Sequence, residues 1–134
     1  IDKINKLIYV QLCFYQPKLT TSEISVLNKK FAANNLIVGD SAEPRLINEL
    51  SKDCNIVPAI KGQGSITFGI SLLQDYDLVI TEDSTDLIKE LNNYCWLEKK
   101  SQTPVDNFNH ALDALRYAVS YQLQNPNLGE YHFY

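Results

Sequence analysis

The sequence predicts an α/β protein, a mixed β-sheet flanked by helices. Three observations carry that expectation. Short β-branched runs alternate with stretches of helical periodicity along most of the chain. The apolar fraction of 45%, with five Gly and five Pro in 134 residues, suits one domain burying about two-thirds of its unfolded surface. Finally, Asp40 follows the most strand-like short run, LIVG, and precedes a helix; ligands gather at such carboxyl ends of strands.

Each element has its own signal. KLIYVQLCFY (6–15) is β-branched and aromatic and reads as a strand; IDKINK before it resembles the turn after an earlier strand that the chain lacks. TTSEISVLNKKFAANN opens with a helix cap at Thr20 to Ser22 and carries Ile24, Leu27 and Phe31 at helical spacing. LIVG (36–39) is continuous and apolar, as in a strand buried on both faces. Ser41 and Glu43-Pro44 then open a helix whose Leu46, Ile47 and Leu50 face inward.

NIVPAI (55–60) is a short strand, with Pro58 marking an edge or an early exit. The loop Lys61-Gly62-Gln63-Gly64-Ser65 feeds a helix to about Asp75 that carries Ile66, Ile70 and Leu73. DLVIT (77–81) is a strand, and Ser84 to Tyr94 is a helix with Leu87, Ile88 and Leu91 on its inner side. Residues 95–98 form a brief strand or connector, 99–105 a polar loop, and Asp106 to Leu123 a last helix. The expected division is a domain over 1–124 and a loose tail over 125–134.

Composition excludes several classes. No apolar run approaches the ~20 residues that span a bilayer, and the N-terminus lacks a signal-peptide cleavage pattern, so a cytosolic protein is expected. Cys13, Cys54 and Cys95 form no CxxC pair, which favours buried, reduced thiols. The net charge of −4 argues against gripping nucleic acid by a basic surface alone. It leaves room for a nuclease whose carboxylates hold metal ions that meet the phosphate. The chain has no Met and begins at Ile1, in the manner of an excerpt from a longer polypeptide.

The most informative segment is DNFNHALDALRYAV (106–119). As a helix it places Asp106, His110, Asp113 and Tyr117 on one stripe, with Phe108, Ala111, Leu112, Leu115 and Val119 on the core face. That stripe is either a solvated polar face or a set of donors converging on one divalent metal. Asp40 is either a helix cap or the opposing ligand, since Ser41 or Glu43 can cap in its place. Two acids and one His suit a hard, oxygen-ligated ion; only two His exist, so a three-His zinc site is impossible. KGQGS lacks the P-loop pattern and is either a turn with Ser65 as cap or a phosphate contact through Lys61. Lys29, Lys30, Lys89, Lys99, Lys100 and Arg116 read as mostly solvated, with Lys99 and Lys100 within reach of DNA. Tyr94 and Trp96 read as core or domain-contact aromatics.

In order, VGDSAEPRLINEL, IKGQGSITFGISLLQ, IKELNNYCW and TPVDNFNHALDALRYAV closely resemble the C-terminal nuclease domain of tailed-bacteriophage terminase large subunits. The resemblance implies an RNase H-like fold, with a mixed β-sheet flanked by helices, and a metal-dependent endonuclease using two Mg²⁺ or Mn²⁺ ions. Such domains cut concatemeric viral DNA during genome packaging. It implies that Asp40 and Asp113 bind metal, that His110 belongs to the same site, and that Lys61 contacts the DNA backbone or the edge of the active site. Asp106 either joins the metal site or only caps the helix.

The implied partners are double-stranded DNA, a terminase ATPase domain, the small terminase subunit and the portal, in the cytoplasm of a bacterial host. Two features depart from the family. Its first catalytic aspartate, on an opening strand, has no counterpart here, and Asp2 falls in the turn beyond that strand. The ATPase motor domain is also missing, so the chain reads as N-terminally truncated and its own activity is open. Competing readings are a Holliday-junction resolvase or transposase-type nuclease, or a non-catalytic α/β interaction module of a packaging complex.

Overall fold

The computed structural model describes residues 1–93 and 109–124. Asp106, Phe108, Tyr94, Cys95, Trp96, Lys99, Lys100, His132 and the expected tail 125–134 lie outside the described residues. So does the choice between strand and connector at 95–98.

Four strands and five helices alternate among the described residues: β1 (Leu7–Val10), α1 (Thr21–Ala32), β2 (Ile37–Gly39), α2 (Pro44–Leu50), β3 (Ile56–Pro58), α3 (Ser65–Gln74), β4 (Asp77–Ile80), α4 (Thr85–Asn93) and α5 (His110–Gln124). The α/β alternation is as the periodicity predicts. Among the described residues, β1 pairs with β4 and β2 with β3, both in parallel, giving two separate two-stranded ladders. The one antiparallel contact is the bridge from Asp2 to Leu7. Periodicity marks where strands lie but carries no information on which edges meet.

β1 is shorter than the run 6–15 because its partner ends. Val10 is opposite Ile80, the last residue of β4, and two residues later the Leu12 N–H donates to Ser84 Oγ at 2.8 Å. The turn expected at IDKINK is present: Asp2 and Leu7 exchange backbone bonds, and Asp2 Oδ1 accepts the Ile4 and Asn5 amides.

The helix starts follow their local chemistry. Thr20 and Glu23 form a reciprocal capping box before α1. Pro44 is the first residue of α2, where a missing N–H costs nothing. Ser65 does not cap α3; Gly64 takes that position at φ 76°, a left-handed conformation that glycine adopts without strain.

The core gathers Leu87, Ala111 and Leu112, with Val10, Leu12, Ile80 and Leu91 packed around them. α5 is the organising element, touching α3, α4 and β2. Several inward assignments hold, including Leu50, Ile70, Leu87, Ala111, Leu112 and Val119. Phe31 and Ile66 are exposed, and Phe31 stacks on Phe14 with centroids 6.1 Å apart. On α1 the buried positions belong to small polar residues, Ser25 and Asn28, and the Ser25 hydroxyl bonds Asp53 at 3.2 Å. Cys54 is buried as expected, whereas Cys13 is exposed.

Candidate active site

β2 ends at Gly39 and delivers Asp40 at its carboxyl end. Asp40 does not stand free of capping duty. Its Oδ1 accepts the Ala42 N–H at 2.9 Å, and its carbonyl accepts the Glu43 N–H at 3.1 Å. The capping position of α2 falls to Glu43, whose side chain makes no cap bond. Asp40 therefore shapes the strand-to-helix turn and still presents an exposed carboxylate.

α5 lies against β2. His110 is exposed, Asp113 and Tyr117 are half-buried, and Ala111, Leu112 and Val119 are buried on the other face. The stripe is thus the one that helical spacing predicts, for the part that is described. Asp40, His110 and Asp113 line a single open cleft together with Val38, Ala114 and Tyr117. Asp40 and Asp113 are 73 residues apart in sequence and meet because α5 packs across the end of β2.

Each acid is held by a cation. Lys61 Nζ lies 2.5 Å from Asp40 Oδ1, and Arg116 Nη2 lies 3.3 Å from Asp113 Oδ1. Tyr117 connects the two pairs, with Lys61 Nζ 5.1 Å and Arg116 Cζ 4.8 Å from its ring centroid. Partial burial pushes the Asp40 carboxyl upward, but the Lys61 ammonium, the Ala42 amide and the Arg116 charge outweigh it and leave its pKa below the usual value. The Asp40 carboxylate in turn raises the Lys61 ammonium above its ordinary value.

Arg116 corrects an expectation. Read from sequence as mostly solvated, it is only 7% exposed, with its stem against α3 at Gly69. Its charge is turned into the site rather than out to solvent. An Arg three residues after Asp113 was the available signal, because residues at that spacing share a helix face.

A family description, the terminase RNase H-like domain, matches residues 1–121 of the chain. The chain belongs to that family. The α/β architecture of this terminase domain is accordingly RNase H-like, and the resemblance seen in the sequence motifs is correct. No curated protein and no solved structure was found to match it.

Within the described part of the terminase domain, no three His, Cys, Asp or Glu side chains close on one point. The two carboxylates of the cleft are oxygen donors of the type that suits a hard cation. No helix among the described residues is long and apolar enough to cross a membrane.

Sequence reasoning missed Glu90 of α4 altogether. It is 1% exposed and bonded to the first turn of α5. The signal was an acid on the same helical face as Leu87 and Leu91, where a solvated residue is out of place.

Proposed function

We propose that this chain is the nuclease domain of a bacteriophage terminase large subunit, a metal-dependent endodeoxyribonuclease that cuts concatemeric viral DNA during packaging. The observation that carries the proposal is the shared cleft of Asp40, His110 and Asp113 in a member of the terminase RNase H-like family. Asp40 and Asp113 would hold Mg²⁺ or Mn²⁺, and His110, exposed at the same cleft, adds a nitrogen donor. When bound, such ions activate water and stabilise the leaving oxygen of a phosphodiester.

The protein's own residues set up that chemistry. The backbone at the end of β2 fixes Asp40, and α5 fixes Asp113 and His110 facing it. Lys61 brings a positive charge to the cleft, where it can meet the backbone of double-stranded DNA. That local charge reconciles DNA binding with a net charge of −4. In the working assembly the domain would act beside the terminase ATPase domain, the small subunit and the portal, in the bacterial cytoplasm.

Cleavage of supercoiled plasmid by the full-length protein tests the reading. Cutting is expected with Mn²⁺ or Mg²⁺, and loss of cutting with EDTA, Asp40→Asn or Asp113→Asn. Unimpaired cutting by either variant would remove the site assignment. Preference for a four-way junction over linear duplex would replace packaging nuclease with resolvase.

A further inference from the structure

A carboxylate as deeply buried as that of Glu90 is strongly disfavoured unless its oxygens are fully bonded. Here both are. Glu90 Oε1 accepts the Leu112 N–H at 2.9 Å, and Oε2 accepts the Ala111 N–H at 3.0 Å and the Tyr15 hydroxyl at 2.7 Å. The two amides belong to the first turn of α5, whose N–H groups have no partner within the helix and carry partial positive charge.

An ordinary cap is a short polar residue from the helix's own approach segment. This one comes from another helix, across 21 and 22 residues of chain. Two bonds from one rigid carboxylate to two adjacent amides fix both the translation and the rotation of the turn. Ala111 follows His110 and Leu112 precedes Asp113, so the grip falls between the two cleft residues. Tyr15 holds the carboxylate from the segment after β1, and β1 pairs with β4, which leads into α4.

We infer that Glu90, braced by Tyr15, is the positioning residue that sets the first turn of α5 and thereby places His110 and Asp113 opposite Asp40. The consequence for metal binding rests on the nuclease reading, whereas the positioning itself does not.

The test uses the full-length protein with Glu90→Gln, which keeps the shape but turns an NH₂ group toward one of the amides. Tyr15→Phe serves as a milder variant should Glu90→Gln not fold. Three quantities are read at a temperature where each variant is fully folded. These are hydrogen exchange of the peptide holding Ala111 and Leu112, the metal-free NMR signal of the His110 ring (assigned by its loss in His110→Gln), and Mn²⁺ affinity by electron paramagnetic resonance.

Expected are faster exchange at the two amides, a displaced His110 signal, and Mn²⁺ binding weakened about 10–100-fold, the loss typical when the support behind a metal ligand is removed. Tyr15→Phe should move all three in the same direction by less. Faster exchange with an unmoved His110 signal and unchanged Mn²⁺ affinity would make Glu90 a structural cap only and overturn the inference. Wild-type-like exchange in Glu90→Gln would also overturn it. If the wild type itself binds no Mn²⁺, the nuclease reading fails, and the His110 signal alone decides the positioning.

Discussion

Replacing Gly69 with alanine adds one methyl group where α3 passes over α5. A Cβ built there lies 2.7 Å from Arg116 Cδ and 3.0 Å from Ser120 Oγ, and closer still to Arg116 Cγ. These atoms are in the middle of the arginine stem, not at a free end, so they cannot swing aside without moving the guanidinium. By helix propensity alone the change stabilises by about 1 kcal/mol, because Gly69 lies inside α3. Overpacking opposes this by about 1–3 kcal/mol. Displacing Arg116 also weakens its charge-assisted bond to Asp113, worth about 1.5 kcal/mol with the acid partly exposed. The balance is a destabilisation of about 2 kcal/mol. Urea denaturation of Gly69→Ala, Arg116→Ala and the double variant measures it. Once the stem is gone only the 3.0 Å approach to Ser120 Oγ remains, so Gly69→Ala should cost clearly less in the Arg116→Ala background than in the wild type. Stabilisation by Gly69→Ala in the wild-type background would refute the close packing of α3 on the Arg116 stem.

Three further outcomes follow from particular side chains. The Ser120 hydroxyl is buried with no hydrogen-bond partner, so Ser120→Ala should raise stability by about 1 kcal/mol, read as an increase in the urea midpoint at unchanged slope. The Tyr15 phenol, held by its bond to Glu90, is pushed up to about 12 from an ordinary 10.0. A raised pKa means the neutral phenol is favoured in the fold. That stability is complete below the unfolded value and is lost as pH rises through the folded one, so the Tm gap between wild type and Tyr15→Phe should shrink over this window. Lys61→Ala removes a partly exposed ion pair and should cost less than about 1 kcal/mol in stability. It should nevertheless weaken DNA binding across sequences and lower the salt slope by about 1, measured by fluorescence anisotropy at several salt concentrations.

Much of the fold was legible because its signals are local. Thr20 with Glu23, Pro44 at a helix start and the inner faces of α4 and α5 all depend on residues within a few positions of one another. What failed was long-range. The pairing of β1 with β4 spans about 70 residues of sequence, and β1 stops where β4 runs out, which no property of KLIYVQLCFY reports. Phe31 lay at helical spacing with Ile24 and Leu27, yet the buried positions of α1 are Ser25 and Asn28. In the site, the helical stripe gave His110 and Asp113 together, and the strand end gave Asp40. Their closeness, and the burial of Arg116 and Glu90, exist only once α3, α4 and α5 are assembled.

That assembly accounts for how an acidic cleft persists in a folded protein. Two carboxylates lining one cleft repel each other when both are ionised, and repulsion of this kind raises pKa values and loosens structure. Here each acid has its own cation, Asp40 with Lys61 and Asp113 with Arg116, and the Tyr117 ring lies between the two cations. Partial burial raises the Asp40 carboxyl, and Lys61, the Ala42 amide and Arg116 together outweigh it and hold its pKa below the usual value. The two cations differ in burial. Arg116 is buried and confined by Gly69, so it is a fixed charge that belongs to the fold. Lys61 is exposed, on the loop between β3 and α3, so its pair with Asp40 lies at the surface rather than in the core. One acid is therefore paired with a charge buried in the helix packing, and the other with a charge at the surface.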